Sequence, residues 1–64
     1  MNIEVGKTYN VKVWDSVENV WWEDGGFTVT EFISTGPYAG AYHGLDSEGL
    51  PGIVEPEEFV SEVK

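Results

Sequence analysis

The sequence contains no cysteine and no arginine. Without cysteine there is no disulfide framework, no thiol nucleophile and no thiolate zinc site. Three lysines stand against twelve Asp and Glu, for a formal charge of -9 at pH 7. Nucleic acid and anionic lipid are both gripped by Lys and Arg, so this balance argues against either as a direct partner. A single histidine leaves no paired-His metal motif within the chain. No apolar run approaches the roughly 20 residues of a membrane-spanning helix. The N-terminal residues Met1 to Lys7 lack the basic-then-apolar layout of a secretory signal. These absences predict a cytoplasmic protein with no cofactor and no metal site.

What is present is apolar enough to fold. The 64 residues are 41% hydrophobic and 14% aromatic, too rich for a disordered tail. A chain this short buries only about 60% of its unfolded surface, so one domain over residues 1–64 with a thin core is expected.

The dominant period is two. In Thr8 to Trp14, Tyr9, Val11 and Val13 alternate with Asn10 and Lys12, the mark of a half-buried strand. Phe27 to Ser34 is a second strand rich in β-branched and aromatic residues. Its alternation slips between Val29 and Phe32, which a bulge near Glu31 would repair. Thr35-Gly36-Pro37 is turn chemistry, and Tyr38 to Leu45 is a glycine-spaced third strand. Asp46 to Gly49 is a turn leading to a fourth strand, Leu50 to Val54. Pro56 to Phe59 is a single helical turn, with Pro at its start and acids at the favourable end of the dipole. Val60 to Lys64 closes the chain as a fifth strand. Asp15 to Gly26 is a long excursion between the first two strands, with room for a hairpin of its own. The fold class is therefore all-β, a five-stranded small barrel or roll with one helical turn near residues 56–59.

The run Gly49-Leu50-Pro51-Gly52-Ile53-Val54-Glu55-Pro56-Glu57-Glu58-Phe59-Val60 resembles the closing segment of SH3 domains. Those domains end on a Gly, two aliphatics, a Pro, two polar residues, an aromatic and a Val. The order of strand, long loop, meander, helical turn and last strand is likewise similar to the SH3-like barrel. The likeness departs at Glu55, an extra residue, at Phe59, which stands where the family has Tyr, and at Trp21-Trp22, which lies in the first loop. The resemblance implies a ligand face made of the loop acids Asp15, Glu18, Glu23 and Asp24 with Pro56 and Phe59.

Two groups of residues point to a protein partner. The first is the aromatic-acidic loop, with Asp15, Glu18, Trp21, Trp22, Glu23 and Asp24. Trp is the strongest interface anchor, and Trp beside carboxylates suits a basic partner. Adjacent side chains of an extended segment face opposite ways, so one of Trp21 and Trp22 is expected inward and the other outward. The second group is the C-terminal rim of Glu55, Glu57, Glu58 and Glu62, with Glu48 and Asp46 nearby in sequence, whose carboxylates can imitate a row of phosphates. The turns at Asp15 and Asp46 do not match a calcium loop, and an Asp bonding its own backbone accounts for both. Trp14, Trp21, Trp22, Tyr38 and Tyr42 are the residue types of a methyl-lysine cage, without a spacing that picks one out. No nucleophile elbow accompanies the serines, and His43 is expected to pack or bond within the glycine-rich strand.

The expectation is a non-enzymatic, acidic protein-binding module, monomeric or weakly dimeric. Its size and charge are similar to those of small phage-encoded proteins that inhibit host factors. In that form it would occupy the basic nucleic-acid site of a protein in the host cytoplasm. The alternatives are a structural or accessory subunit of a virion or enzyme complex, and a peptide-recognition module of the SH3-like kind.

Overall fold

Tyr9, Val11 and Val13 alternate along the first strand, β1 (Thr8–Asp15), of the computed structural model, which describes residues 1–64. β2 follows as Val20–Phe32, β3 as Tyr42–Leu45 and β4 as Pro51–Val54. A 3-10 turn, Pro56–Glu58, leads into β5, Phe59–Glu62. The five strands form one antiparallel sheet in the order β4-β3-β2-β1-β5. The class is all-β, as expected. The ladder is open, because β4 and β5 are its two ends. Their core residues, Val54 and Phe59, still belong to one buried cluster, so the sheet curls around its own apolar face.

β2 makes this curl possible. Its N-terminal part pairs with β1 from Val20 to Thr28, and its C-terminal part pairs with β3 from Thr28 to Phe32. The bulge expected near Glu31 is present as a register shift between Val29 and Glu31. The extra residue, Thr30, keeps Val29 in the core and still sets Phe32 beside Tyr42, ring centroids 5.2 Å apart. Further shifts at Tyr9/Val11 against β2 and at Asn10/Val11 against β5 bend β1 at mid-length.

Several expected boundaries need correction: β2 ends at Phe32 rather than Ser34, β4 starts at Pro51 rather than Leu50, the helical turn ends at Glu58 rather than Phe59, and three differences are larger. Most of Asp15 to Gly26 is strand, and only Ser16 to Asn19 turns. The third strand starts at Tyr42 rather than Tyr38. Gly40 at φ +96 ends a turn in which Gly40 N–H bonds the Ile33 carbonyl at 2.8 Å and Ala41 N–H bonds that of Tyr38 at 3.0 Å. The last strand begins at Phe59, one residue earlier than expected, and ends at Glu62.

The core is thin and aromatic. Phe59 lies edge-on to Tyr9, Phe27 and Tyr42, with centroids 5.2, 6.0 and 5.5 Å away. Tyr9 is fully buried, and its hydroxyl accepts Glu4 N–H at 2.8 Å and donates to the Asn2 carbonyl at 3.3 Å. That pair of bonds satisfies a buried polar atom and ties the N-terminal segment over the core, where Ile3 packs. Gly44 faces inward where a β-carbon would stand 2.5 Å from the Phe27 ring, so any larger residue there forces its neighbours to shift. Phe59 is only 9% exposed. It therefore serves as core, and the ligand-face role implied by the SH3 resemblance does not apply to it.

Candidate protein-contact surface

β5 stops opposing β1 at Val11, and β3 stops opposing β2 at Thr28. Beyond those points β1 and β2 continue as a two-stranded ribbon. Lys12 pairs with Glu23, Val13 with Trp22, Trp14 with Trp21, and Asp15 with Val20. A ribbon with no third strand and no layer against it has solvent on both faces. This accounts for a departure from expectation. Trp21 and Trp22 do point to opposite faces, but neither is inward: they are 51% and 58% exposed, and Trp14 is 45% exposed. None of the three Trp is in the core.

Cross-strand pairing sorts the ribbon's side chains. Lys12, Trp14, Trp21 and Glu23 share one face. Val13, Asp15, Val20 and Trp22 share the other, which runs on into the buried Val11. On the first face the Trp14 and Trp21 rings meet at 61° with centroids 5.2 Å apart. On the second, Trp22 Nε1–H donates to Asp15 Oδ2 at 2.9 Å. Asp15 Oδ1 accepts Val17 N–H at 2.9 Å and Glu18 N–H at 3.1 Å, and Asn19 takes the left-handed conformation at φ 60. The Glu18 amide first, and then the Trp22 indole, hold the Asp15 carboxyl below its ordinary range.

The predicted acids therefore divide by role. Asp15 builds the hairpin tip. Asp24 Oδ1 accepts Gly26 N–H at 2.9 Å, and its Oδ2 lies 3.4 Å from Ser47 N, so it braces the β3–β4 turn. Glu58 Oε1 accepts Glu55 N–H at 2.8 Å and closes the 3-10 turn. Asp46, near the rim in sequence, does the same for its own turn, accepting Glu48 and Leu50 N–H at 2.9 Å. Glu18, Glu23 and Glu57 are exposed and hold no such bonds, and Glu55, also exposed, shares the capping box of the 3-10 turn with Glu58. The register Val11↔Phe59 sets the 3-10 turn beside β1 at the base of the ribbon, where the two elements touch. The loop acids and the C-terminal acids, far apart in sequence, thus flank one projection. The chain's only ion pairs are made by Lys7, to Glu4 at 3.0 Å and Glu62 at 3.7 Å. Glu4 beside it holds the Lys7 ammonium above its ordinary value.

A second feature escaped the sequence reading. Tyr38, His43, Pro51, Gly52 and Ile53 line an open depression of about 390 Å³ on the outer face of β3 and β4. His43 is exposed there, not packed within its strand as expected. The signal was Gly44: an inward glycine fixes the alternation, and His43 must then face out. Tyr42 packs against Phe32 and Phe59, away from the Trp pair, so these aromatics do not assemble one cage. No group of three or more His, Asp or Glu is placed to hold a metal ion. No helix is long and apolar enough to cross a membrane.

Compared with known protein families, curated proteins and solved structures, the chain matches none.

Proposed function

We propose that this chain is a non-enzymatic protein-binding module whose contact element is the β1–β2 ribbon, and whose partner presents a basic surface. The observation that carries the reading is the exposure of all three Trp on one two-stranded projection. Large aromatics left in solvent as a group are costly unless something covers them, and Trp is the residue most enriched among interface anchors. Glu18 and Glu23 on the ribbon, with Glu55 and Glu57 at its base, add a single-signed field that steers a basic partner. The cytoplasm is the compartment proposed for this encounter. A basic nucleic-acid groove is one surface with this chemistry, and occupying it would make the module an inhibitor.

The test is capture from bacterial lysate by the tagged chain, by a Trp14→Ala/Trp21→Ala/Trp22→Ala variant and by a Glu55→Gln/Glu57→Gln/Glu58→Gln variant. Washes at low and high salt run in parallel. The reading expects one predominant protein, lost from the Trp variant and depleted by high salt. Capture that the Trp variant retains in full overturns it. Release of the captured protein by added duplex DNA identifies the groove-occupying form.

A further inference from the structure

The face of the ribbon that carries Trp14 and Trp21 already holds a cation. Lys12 Nζ lies over the Trp21 ring, 5.0 Å from its centroid, within the range of cation–π attraction. Glu23 stands directly opposite Lys12 in the ladder. The ammonium nevertheless makes no ion pair with it, since both ion pairs of the chain belong to Lys7. The face thus offers two tilted, exposed indoles and a neighbouring carboxylate without a cation.

We propose that this face is an arginine site. A guanidinium from the partner takes the place over Trp21 that Lys12 now fills, and hydrogen-bonds Glu23. The inference rests on the ribbon being the contact element and specifies what it contacts. The surrounding charge of -9 selects a cation. The choice among cations follows from the geometry. A guanidinium is planar and weakly hydrated, stacks on an open ring, and reaches a carboxylate through a two-pronged fork. A quaternary ammonium is best held in a cage of aromatic walls, and two rings on one side of a ribbon do not enclose it. An incoming lysine would only exchange one ammonium for another. Lys12 is then an internal competitor that keeps the indole covered until an arginine arrives.

The experiment is an NMR titration of the full chain with a blocked Gly-Arg-Gly-Arg-Gly peptide and with its lysine counterpart. The three indole N–H signals are followed. The arginine peptide should bind about two- to fivefold tighter than the lysine peptide, the range of an exposed cation–π contact. The Trp14 and Trp21 signals should move, and that of Trp22, bonded to Asp15 on the other face, should not. Lys12→Gln should tighten binding by a similar factor, and Glu23→Gln should weaken it. Lys64→Gln removes the same charge at the chain end and should change little. Equal binding of both peptides, with equal responses to Lys12→Gln and Lys64→Gln, would show attraction by net charge alone and overturn the site. Static Trp14 and Trp21 signals with either peptide would overturn it too. Either failure leaves the ribbon's role as contact element to be decided by the capture experiment, in which the Trp variant fails or succeeds independently.

Discussion

Trp22 and Asp15 are locked across the tip of the ribbon by an indole-to-carboxylate bond of 2.9 Å. The other oxygen of the same carboxylate gathers two backbone N–H groups of the turn. One acid therefore both closes the hairpin and fixes the orientation of an exposed indole. On the proposed reading, that preorganisation lowers the entropy lost on binding.

That dual role predicts a pH response confined to one face. The Asp15 carboxyl titrates below its ordinary value of 3.8 because the charged form accepts these bonds. A depressed carboxylate contributes stability that is present above the unfolded value and is lost as pH falls through the folded one. The Trp22 indole signal should shift with a midpoint below 3.8, while those of Trp14 and Trp21 follow no such transition. Asp15→Asn removes the charge, so the transition should vanish and amide exchange at Val17 and Glu18 should quicken. A Trp22 signal that stays constant through this range would contradict the bond.

Gly44 and Gly52 are directly opposed in the β3–β4 ladder, yet they predict opposite outcomes. A β-carbon at Gly44 would meet the Phe27 ring at 2.5 Å and press on the Thr28 carbonyl. Overpacking of this kind costs about 1–3 kcal/mol. In a domain this small each kcal/mol lowers the melting temperature by about 4–8 °C. A β-carbon at Gly52 would find its nearest neighbour, Phe27 Cε1, at 3.9 Å, an ordinary contact. Gly52→Ala should stay within about 0.5 kcal/mol of the parent. Thermal melts of the two variants check the pair.

The same residues explain how much could be read from sequence. Alternation located β1, the C-terminal half of β2 and a bulge near Glu31, because a half-buried strand writes its inner face every second residue. The ribbon was harder to read. Alternation puts one of Trp21 and Trp22 inward, but sequence does not tell that β5 stops at Val11 and leaves both faces of the ribbon wet. Asp15 and Asp46 were legible as turn-formers because an Asx bond is local. The bracing of Ser47 by Asp24 joins residues 23 positions apart, so only the folded chain brings it into view. His43 was misread for a similar reason, since only the packing of Gly44 against Phe27 shows which face of the third strand is inward.

Phe59 and Val60 test the correction to the SH3 resemblance. Phe59 is the hub of four packed aromatics, whereas its neighbour Val60 is 48% exposed. Phe59→Ala should cost about 3–5 kcal/mol. Stability of about 0.05–0.15 kcal/mol per residue makes that a large share of the total, so the variant should be partly or wholly unfolded at room temperature. Val60→Ala should fall within about 0.5 kcal/mol of the parent. Urea unfolding monitored by near-ultraviolet circular dichroism separates the two. A folded Phe59→Ala variant that has lost only binding would restore the ligand-face role and refute the packing argument.

Charge and aromatic anchors should act on different rate constants of the same complex. Glu55 and Glu57 are exposed at the base of the ribbon, and Glu58 closes the 3-10 turn through one oxygen, an acceptor that Gln retains. Replacing all three by Gln therefore removes three charges without opening the turn. Rim charges govern encounter, so the variant should associate more slowly and with a shallower dependence on ionic strength, its dissociation rate nearly unchanged. On the proposed reading, the contacts of Trp21 and Trp22 are short-range and form only after encounter. Replacing either by Ala should raise the dissociation rate and leave the salt dependence of association intact. Surface plasmon resonance against the captured partner at several salt concentrations reads both. If the Glu variant lost affinity only through faster dissociation, those carboxylates would be buried in the interface, and the contact would extend from the ribbon over the 3-10 turn.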